Sequence, residues 1–576
     1  MGRNLNNIYL IADNIISSLG FTTKDNIEAI HAEQSGVKLH DDGKISDDSI
    51  LAATICEERL QKLVASNNLS SYSKVEQLII LSIKDILSQA DIDLSSDDCG
   101  VIISTTKGNV DLLENQTENL NPKVFLGDTA STIASYFGLG DRVTVLSNAC
   151  ISGVSALIVA RRLIQAGTYR HVVVGGVDVL SHFITSGFQS FKSISENICK
   201  PYDSERDGLN VGEACGSILL TCDYQPNSII LRGGAISNDA NHISGPSRTG
   251  DGLYYAIKGA MEEAHISSNE IDYINLHGTA TVYNDEMEAK AVHLADLENV
   301  PVNSLKPYFG HTLGASGVIE TIICLHELKN NIIFKTPNYE NCGVSQPINV
   351  CAEHTQISTL NTCVKTASGF GGCNAAIVLS LFPSENEFVK GNNSYKEIAS
   401  CSISQNTIKV NEEIVFSSKA ETFHTFIREA FKNLNESNQK FYKMDDMSKL
   451  GYIAASYLLK GQSFNPCEIG IILANKSSSL DTDIKYQKII DADGDKAASP
   501  AVFVYTLPNI VAGEICIRHK IQGENTFFIE NKYNKEKLEK YAHLAMEKGN
   551  LRLCIYGWCE FLNDKYKADF RLLEKL

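Results

Sequence analysis

Four stretches set reactive side chains among small residues and glycines. In VTVLSNACISGVSALIVARRLI, Cys150 falls between a β-branched strand and an amphipathic helix. A thiol on such a turn lies at a helix N-terminus, where free N–H groups and the helix dipole favour the thiolate. Ala149, Ser152 and Gly153 permit a tight turn and close substrate approach, the thiol counterpart of a nucleophile elbow. A buried structural cysteine would leave the same pattern. In DYINLHGTATVYNDEMEAKAV a strand ends at His277, with Thr281 and Asp285 ahead of a helix. The carboxyl end of a buried strand is where α/β proteins place reacting groups, and a satisfied structural histidine fits there too. PVNSLKPYFGHTLGASGVIETIICLHEL carries Lys306 and His311, then Gly314, Ala315 and Gly317 as a helix opens. Glu288, three residues after Asp285, is available to pair with Lys306, whose alternative is a solvated surface position. In KTASGFGGCNAAIVLS, glycines flank Phe370, which suits a gate or a backbone N–H donor as well as a plain turn with a buried ring. No GxxxxGK[ST] phosphate loop occurs.

These side chains need a scaffold, and the first ~382 residues supply one by alternation. RVTVLS, HVVVGGV, GSILLTC, SIILRGGAIS, YINLHG and AAIVLSLF read as short buried strands, with amphipathic runs such as 151–167, 252–264 and 315–330 between them. That predicts an α/β domain with buried sheets. After Phe382 the polar run PSENEFVKGNNSYKEIAS predicts a linker over 383–412, with short strands possible at 408–416. The remainder, 413–576, repeats landmarks of the beginning in order. DDCGVIISTTKGNVDLL matches PCEIGIILANKSSSLDTD, the stretch 124–150 matches 502–533, and HVVVGGVDVL matches RLCIYGWCEFL. A fixed order of landmarks argues for duplication over chance. Counting without gaps from Gly140 and Gly523 brings Tyr533 to the position of Cys150, so the repeat has no thiolate, and it ends before any counterpart of His277 or His311.

Bulk properties narrow the class. The 576 residues carry a net charge of −18, which argues against nucleic acid or an anionic membrane as the main partner. No apolar run reaches the ~18–20 residues of a membrane span, and the first twenty residues read as a strand and not a signal peptide. A cytoplasmic location is therefore expected. The 16 cysteines form no CxxC pair, so a zinc site lacks ligand spacing and most are expected to be reduced and buried.

Taken together, NACISG, KPYDSERDGLNVGEACGSILL, INLHGTATVYNDEMEAKAV, NSLKPYFGHTLGASG and GFGGCN resemble the elongating β-ketoacyl-acyl-carrier-protein synthases of the thiolase superfamily over residues ~5–382. Cys-His-His marks the elongating branch, since the initiating synthases have Cys-His-Asn and chain-length-factor relatives lack the cysteine. The resemblance implies a five-layered αβαβα thiolase fold, its halves ~1–224 and ~225–382 meeting near 224–228, with 413–576 a non-catalytic half-thiolase-like domain. It implies that Cys150 takes up an acyl group and that His277 and His311 hold the malonyl thioester oxygen. It further implies an oxyanion on the N–H groups of Cys150 and Phe370, a Lys306–Glu288 pair, and Thr279 and Thr281 on the pantetheine arm. No metal and no cofactor beyond phosphopantetheine on an acyl carrier protein is implied. The implied partners are that carrier, docking on basic residues such as Lys192, Lys200 and Arg206, and a second subunit, identical or chain-length-factor-like. The chain departs from the family at Cys373, where Thr is usual, and at Ala367-Ser368, which casts doubt on ordinary saturated elongation. The C-terminal extension resembles synthase-like proteins of polyene and aryl-polyene pathways. A carrier-binding scaffold that does not condense, and a simple acyltransferase, are the competing readings.

Overall fold

The computed structural model describes residues 7–114, 120–383, 393–548 and 551–576. The N-terminal part builds β1 (Tyr9–Ile16), α1 (Lys74–Gln89), β2 (Cys99–Ser104), α2 (Leu126–Phe137), β3 (Val143–Leu146), α3 (Ser152–Gln165), β4 (His171–Asp178), α4 (His182–Ser190) and β5 (Ala214–Thr221). Its sheet runs β1-β5-β4-β2-β3, antiparallel at β1–β5 and β5–β4 and parallel from β4 to β3. The next part builds β6 (Ile229–Asn238), α5 (Asp251–Ala264), β7 (Tyr273–Asn275), α6 (Val282–Leu294), β8 (Val302–Asn303), α7 (Ser316–Asn330), β9 (Thr362–Gly369) and β10 (Cys373–Ser380). This sheet runs β6-β10-β9-β7-β8, and β6 also meets β1 at Tyr9↔Ile230 and Leu10↔Ile229.

The layering follows from burial. All 14 residues of α3 are buried, because α3 touches β4 and β2 on one side and β6 and β10 on the other. α7 likewise lies between β5 and β9. α1 covers the outer face of the first sheet and α5 that of the second, giving αβαβα. Strands covered on both faces read as continuous apolar runs, which is why HVVVGGVD shows no alternation.

Residues 395–576 form β11 (Tyr395–Ser404), β12 (Thr407–Val410), β13 (Glu413–Ser417), α8 (Asp446–Leu458), β14 (Ile469–Asn475), α9 (Leu480–Asp493), α10 (Ile510–His519), β15 (Asn525–Ile529), α11 (Lys535–Lys548), β16 (Leu553–Leu562) and β17 (Lys565–Lys575). Their sheet runs β11-β17-β16-β14-β15, with the same sequence of parallel and antiparallel pairings as β1-β5-β4-β2-β3. The stretch 383–412 is thus not a linker throughout. Residues 384–392 lie outside the described residues, but β11 and β12 are paired strands, and the polar composition hid a strand whose well-covered positions are Ala399, Ser400, Cys401 and Ile403.

The two sheets meet edge to edge. β3 pairs antiparallel with β15 through Leu146↔Phe528 and Val145↔Ile529, and Ser147 N–H donates to the Phe527 carbonyl at 3.0 Å. β15 stands in the same place in its sheet as β3 does, so the contact joins equivalent strands, the arrangement of a self-complementary two-fold interface. Buried ion pairs lock the seam: Arg162 to Glu524 at 2.7 Å and Lys107 to Asp483 at 2.9 Å.

Candidate active site

Cys150 lies four residues past the end of β3, in the turn that opens α3. Ala149 takes a left-handed conformation (φ +49°) although it is not glycine, and the turn is tied by Asn148 N–H to Ser152 Oγ (2.7 Å) and Ser152 Oγ–H to the Ala149 carbonyl (2.6 Å). Strain of this kind persists only where the surroundings enforce it. Gly153 meets α7: a Cβ there would lie 2.7 Å from the Val318 nitrogen, and one on Gly317 would lie 2.5 Å from the Val154 nitrogen. Two glycines therefore let the N-termini of α3 and α7 touch, which draws the Cys150 turn toward the loop carrying His311.

His277 follows β7, and its N–H donates to Glu288 Oε1 at 2.8 Å. His311 is fixed by its own N–H to the Asn210 carbonyl (2.6 Å), and its Nδ1 accepts from Leu313 N–H (2.9 Å). That bond leaves the ring proton on Nε2, making this nitrogen a donor and not a metal ligand. The two imidazoles are 5.0 Å apart edge to face, and one polar atom from each lies within 4.8 Å of the other and of Cys150 Sγ. Backbone N–H groups of Cys150 and Phe370 point at the sulfur. A cavity of about 230 Å³ joins these groups to Thr279, Thr281 and Tyr283 on one side and to Phe188, Phe191 and Phe370 on the other. Thr279 and Thr281 bond each other through their hydroxyls at 2.8 Å.

The comparisons with known proteins bear on the same residues. The β-ketoacyl synthase N-terminal domain family matches residues 32–225, and the β-ketoacyl synthase C-terminal domain family matches 229–340. A putative mitochondrial 3-oxoacyl-[acyl-carrier-protein] synthase of Schizosaccharomyces pombe is 27% identical over 55% of this chain and 84% of its own length. The 3-oxoacyl-[acyl-carrier-protein] synthase 2 of Rhizobium meliloti is 32% identical over 40% of this chain and 59% of its own. The chain belongs to the β-ketoacyl-acyl-carrier-protein synthase family of the thiolase superfamily. Among solved structures, a ketosynthase from Xenorhabdus doucetiae in complex with its chain length factor is 28% identical, with a TM-score of 0.58 over 66% of this chain and 99% of its own. The PfaC keto synthase–chain length factor shares the fold at 16% identity, with a TM-score of 0.79 over 99% of this chain and 78% of its own.

The electrostatics of the synthase site depart from two expectations. Lys306 bonds Glu320, and Lys365 bonds the other oxygen of Glu320 at 2.6 Å. Glu288 is instead occupied by the N–H groups of His277 and Gly278 (2.8 and 2.7 Å) and by the Tyr202 hydroxyl (3.0 Å), so it shapes the His277 turn and does not pair with Lys306. Burial would raise the Glu320 carboxyl, but the two ammonium groups hold it low. Burial first, then the Lys306 charge, pushes both histidines well below the ordinary range, so both imidazoles are neutral. Burial also pushes the Cys150 thiol up to about 12, against the pull of Lys306 and the backbone donors. Desolvation thus outweighs the helix terminus and sets the direction of the shift.

Sequence reasoning missed Glu320, Lys365 and Asp178. Glu320 falls one turn after Ser316 on α7, and only that helical spacing marked it. Asp178 ends β4 and accepts from Thr105 Oγ1 (2.7 Å), Thr106 N–H (2.9 Å) and Gly314 N–H (2.7 Å), fastening the loop behind His311. Of the basic residues expected at the surface, Lys192 is exposed beside Phe191, and Lys200 pairs with Glu205 at 3.0 Å. Arg206 is turned inward to the carbonyls of Asp203 (2.8 Å) and Gly343 (2.7 Å), which removes it from any docking patch.

Proposed function

We propose that this chain performs the decarboxylative condensation of its family with the residues just described, in fatty acid or polyketide synthesis. The observation that carries this reading is the convergence of one sulfur, two neutral imidazoles and two backbone N–H groups in a single cavity. The Cys150 sulfur attacks an acyl thioester, the thiol proton leaves with the departing pantetheine sulfur, and an acyl-cysteine forms. The tetrahedral oxyanion rests on the N–H groups of Cys150 and Phe370. A malonyl thioester then enters past Thr279 and Thr281, its carbonyl oxygen facing His277 and His311. The carbon–carboxylate bond breaks, CO₂ leaves, and the electron pair becomes an enolate on that oxygen. The enolate carbon attacks the acyl carbonyl, the C–S bond breaks, and β-ketoacyl thioester and the Cys150 thiolate result, the thiolate then taking a proton from water. Both substrates ride on phosphopantetheine of an acyl carrier protein, with Lys192 available to its acidic surface.

Two imidazole donors are more than a simple acyltransferase needs, and an intact sulfur is more than a scaffold needs. Residues 395–576 act as the non-catalytic half-synthase: Tyr533, which follows β15 as Cys150 follows β3, lies against Trp558 with the rings tilted at 41° and their centroids 5.6 Å apart. Because β15 covers the β3 edge, a further subunit, identical or chain-length-factor-like, has to use another face. The test is a set of three variants in the full chain. Cys150→Ala abolishes acyl-enzyme seen by intact-mass spectrometry. His277→Ala and His311→Ala retain acylation and lose malonyl decarboxylation by about 100-fold or more, the scale of a lost oxyanion donor. Full condensation by either histidine variant overturns the roles.

A further inference from the structure

The non-catalytic half reaches into the site. α10 begins at Ile510, and Asn509 stands at its N-cap, yet the Asn509 side chain makes no capping bond to the helix. Asparagine at this position ordinarily turns back to the first-turn N–H groups. Here it turns away. Its Nδ2–H donates to the Phe370 carbonyl at 2.9 Å, and the residue is 1% exposed. An acceptor oxygen facing that carbonyl would be repelled, so the amide orientation follows from chemistry.

Glycines bring the helix this close. A Cβ on Gly371 would lie 2.7 Å from Asn509 Nδ2, and a Cβ on Gly513 would lie 2.8 Å from the Gly371 carbonyl oxygen. The Phe370 carbonyl also accepts from the Cys373 thiol at 3.2 Å, the position at which this chain departs from its family. The same half-domain grips the nucleophile turn from the other side: Asn148 Nδ2–H donates to the Asn525 carbonyl at 2.9 Å, beside the Ser147 bond to Phe527. Both backbone segments that aim N–H groups at the reacting centre are thus held by residues 509–527.

We infer that Asn509 is a positioning residue for acyl transfer, fixing the Phe370 carbonyl and hence the aim of the Phe370 N–H at the oxyanion. Holding the carbonyl, at the other end of a peptide plane whose Gly371 N–H donates to the Ile243 carbonyl (2.6 Å), restrains rotation about the same Cα that carries the Phe370 N–H. The inference rests on the condensing-enzyme reading above.

The test compares the full-length chain with Asn509→Asp and Asn509→Ala. Asp has the same shape and, once ionised, presents only acceptors to the carbonyl, so the rates are followed from pH 7 to 9 to separate the ionised carboxylate from a buried carboxyl that still donates. Two rates are measured on Cys150 by intact-mass spectrometry: acylation by a hexanoyl pantetheine thioester, which develops an oxyanion, and alkylation by iodoacetamide, which does not. Acylation is expected to fall about tenfold to 100-fold, less than or equal to the loss of a whole donor. Alkylation and the KM for the thioester are expected to stay within about threefold, since neither draws on oxyanion stabilisation. Unchanged acylation in Asn509→Asp, or a parallel fall of both rates, overturns the inference. Should Asn509→Ala not fold, Asn509→Asp carries the test alone. A native chain that the thioester never acylates defeats the condensing-enzyme reading and this one together, whereas normal acylation of both native chain and variant defeats this one only.

Discussion

At the scale of single residues, the site is governed by desolvation. Cys150 sits at a helix start, where dipole and free N–H groups favour a thiolate, yet burial raises the thiol to about 12. A raised thiol pKa means that the reactive fraction grows with pH until that value is reached. Iodoacetamide alkylation of Cys150 is therefore expected to rise about tenfold per pH unit between 7 and 9 with no plateau. A plateau below pH 8 shows a stabilised thiolate instead. Glu320 is the second decisive residue, because it bridges the buried ammonium groups of Lys306 and Lys365. Glu320→Gln leaves two like charges in the interior and is expected to cost roughly 3–5 kcal/mol in denaturant unfolding. Lys306→Met leaves the Glu320–Lys365 pair and is expected to cost less. Equal losses show that the three do not act as a charge triad.

At the scale of elements, the site depends on how closely two helices start. α3 and α7 are drawn together by Gly153 and Gly317, and the turn with Cys150 and the loop with His311 ride on them. Gly317→Ala puts a methyl 2.5 Å from the Val154 nitrogen, where only the backbone can yield. The expected cost is about 1–3 kcal/mol from overpacking. Condensation should fall further than stability implies, about 100-fold, since a shift near 1 Å suffices for that. Condensation at native rate in a variant with lowered Tm separates packing from geometry and refutes the link. Element scale is also where the linker reading failed. β11 is polar on its exposed positions and pairs with β17, a partner more than 160 residues away, so local composition held no sign of it.

At the scale of the molecule, residues 395–576 complete what the first part leaves open. They cover the β3 edge, neutralise Arg162 and Lys107, and place Phe503 against Phe188 of α4 at 5.6 Å. A chain cut at 383 exposes an unpaired strand edge, aromatic surface and two cations that lose their carboxylate partners. It is expected to elute as soluble aggregate or not at all in size-exclusion chromatography with light scattering, and to lose condensation. A monodisperse, active chain ending at 383 shows that the second half is dispensable. The half-domain in turn needs β11, so a fragment starting at 395 should unfold at higher denaturant than one starting at 413.

The sequence by itself singled out Cys150, His277 and His311 as the candidate reacting groups, and held the alternation that makes an α/β core and the order of the internal repeat. Each is written locally: small residues around a reactive one, glycines beside a histidine, apolar runs at strand length. Tertiary structure decided the partnerships. Lys306 is nearer in sequence to Glu320 than to Glu288, but either is reachable from a strand end, and only the packing of α7 chose between them. The upward push on the Cys150 thiol comes from the elements packed around its turn, a property of several elements at once. The reach of Asn509 into the site required two sheets to join through β3 and β15, and no spacing along the chain carries a contact across 139 residues.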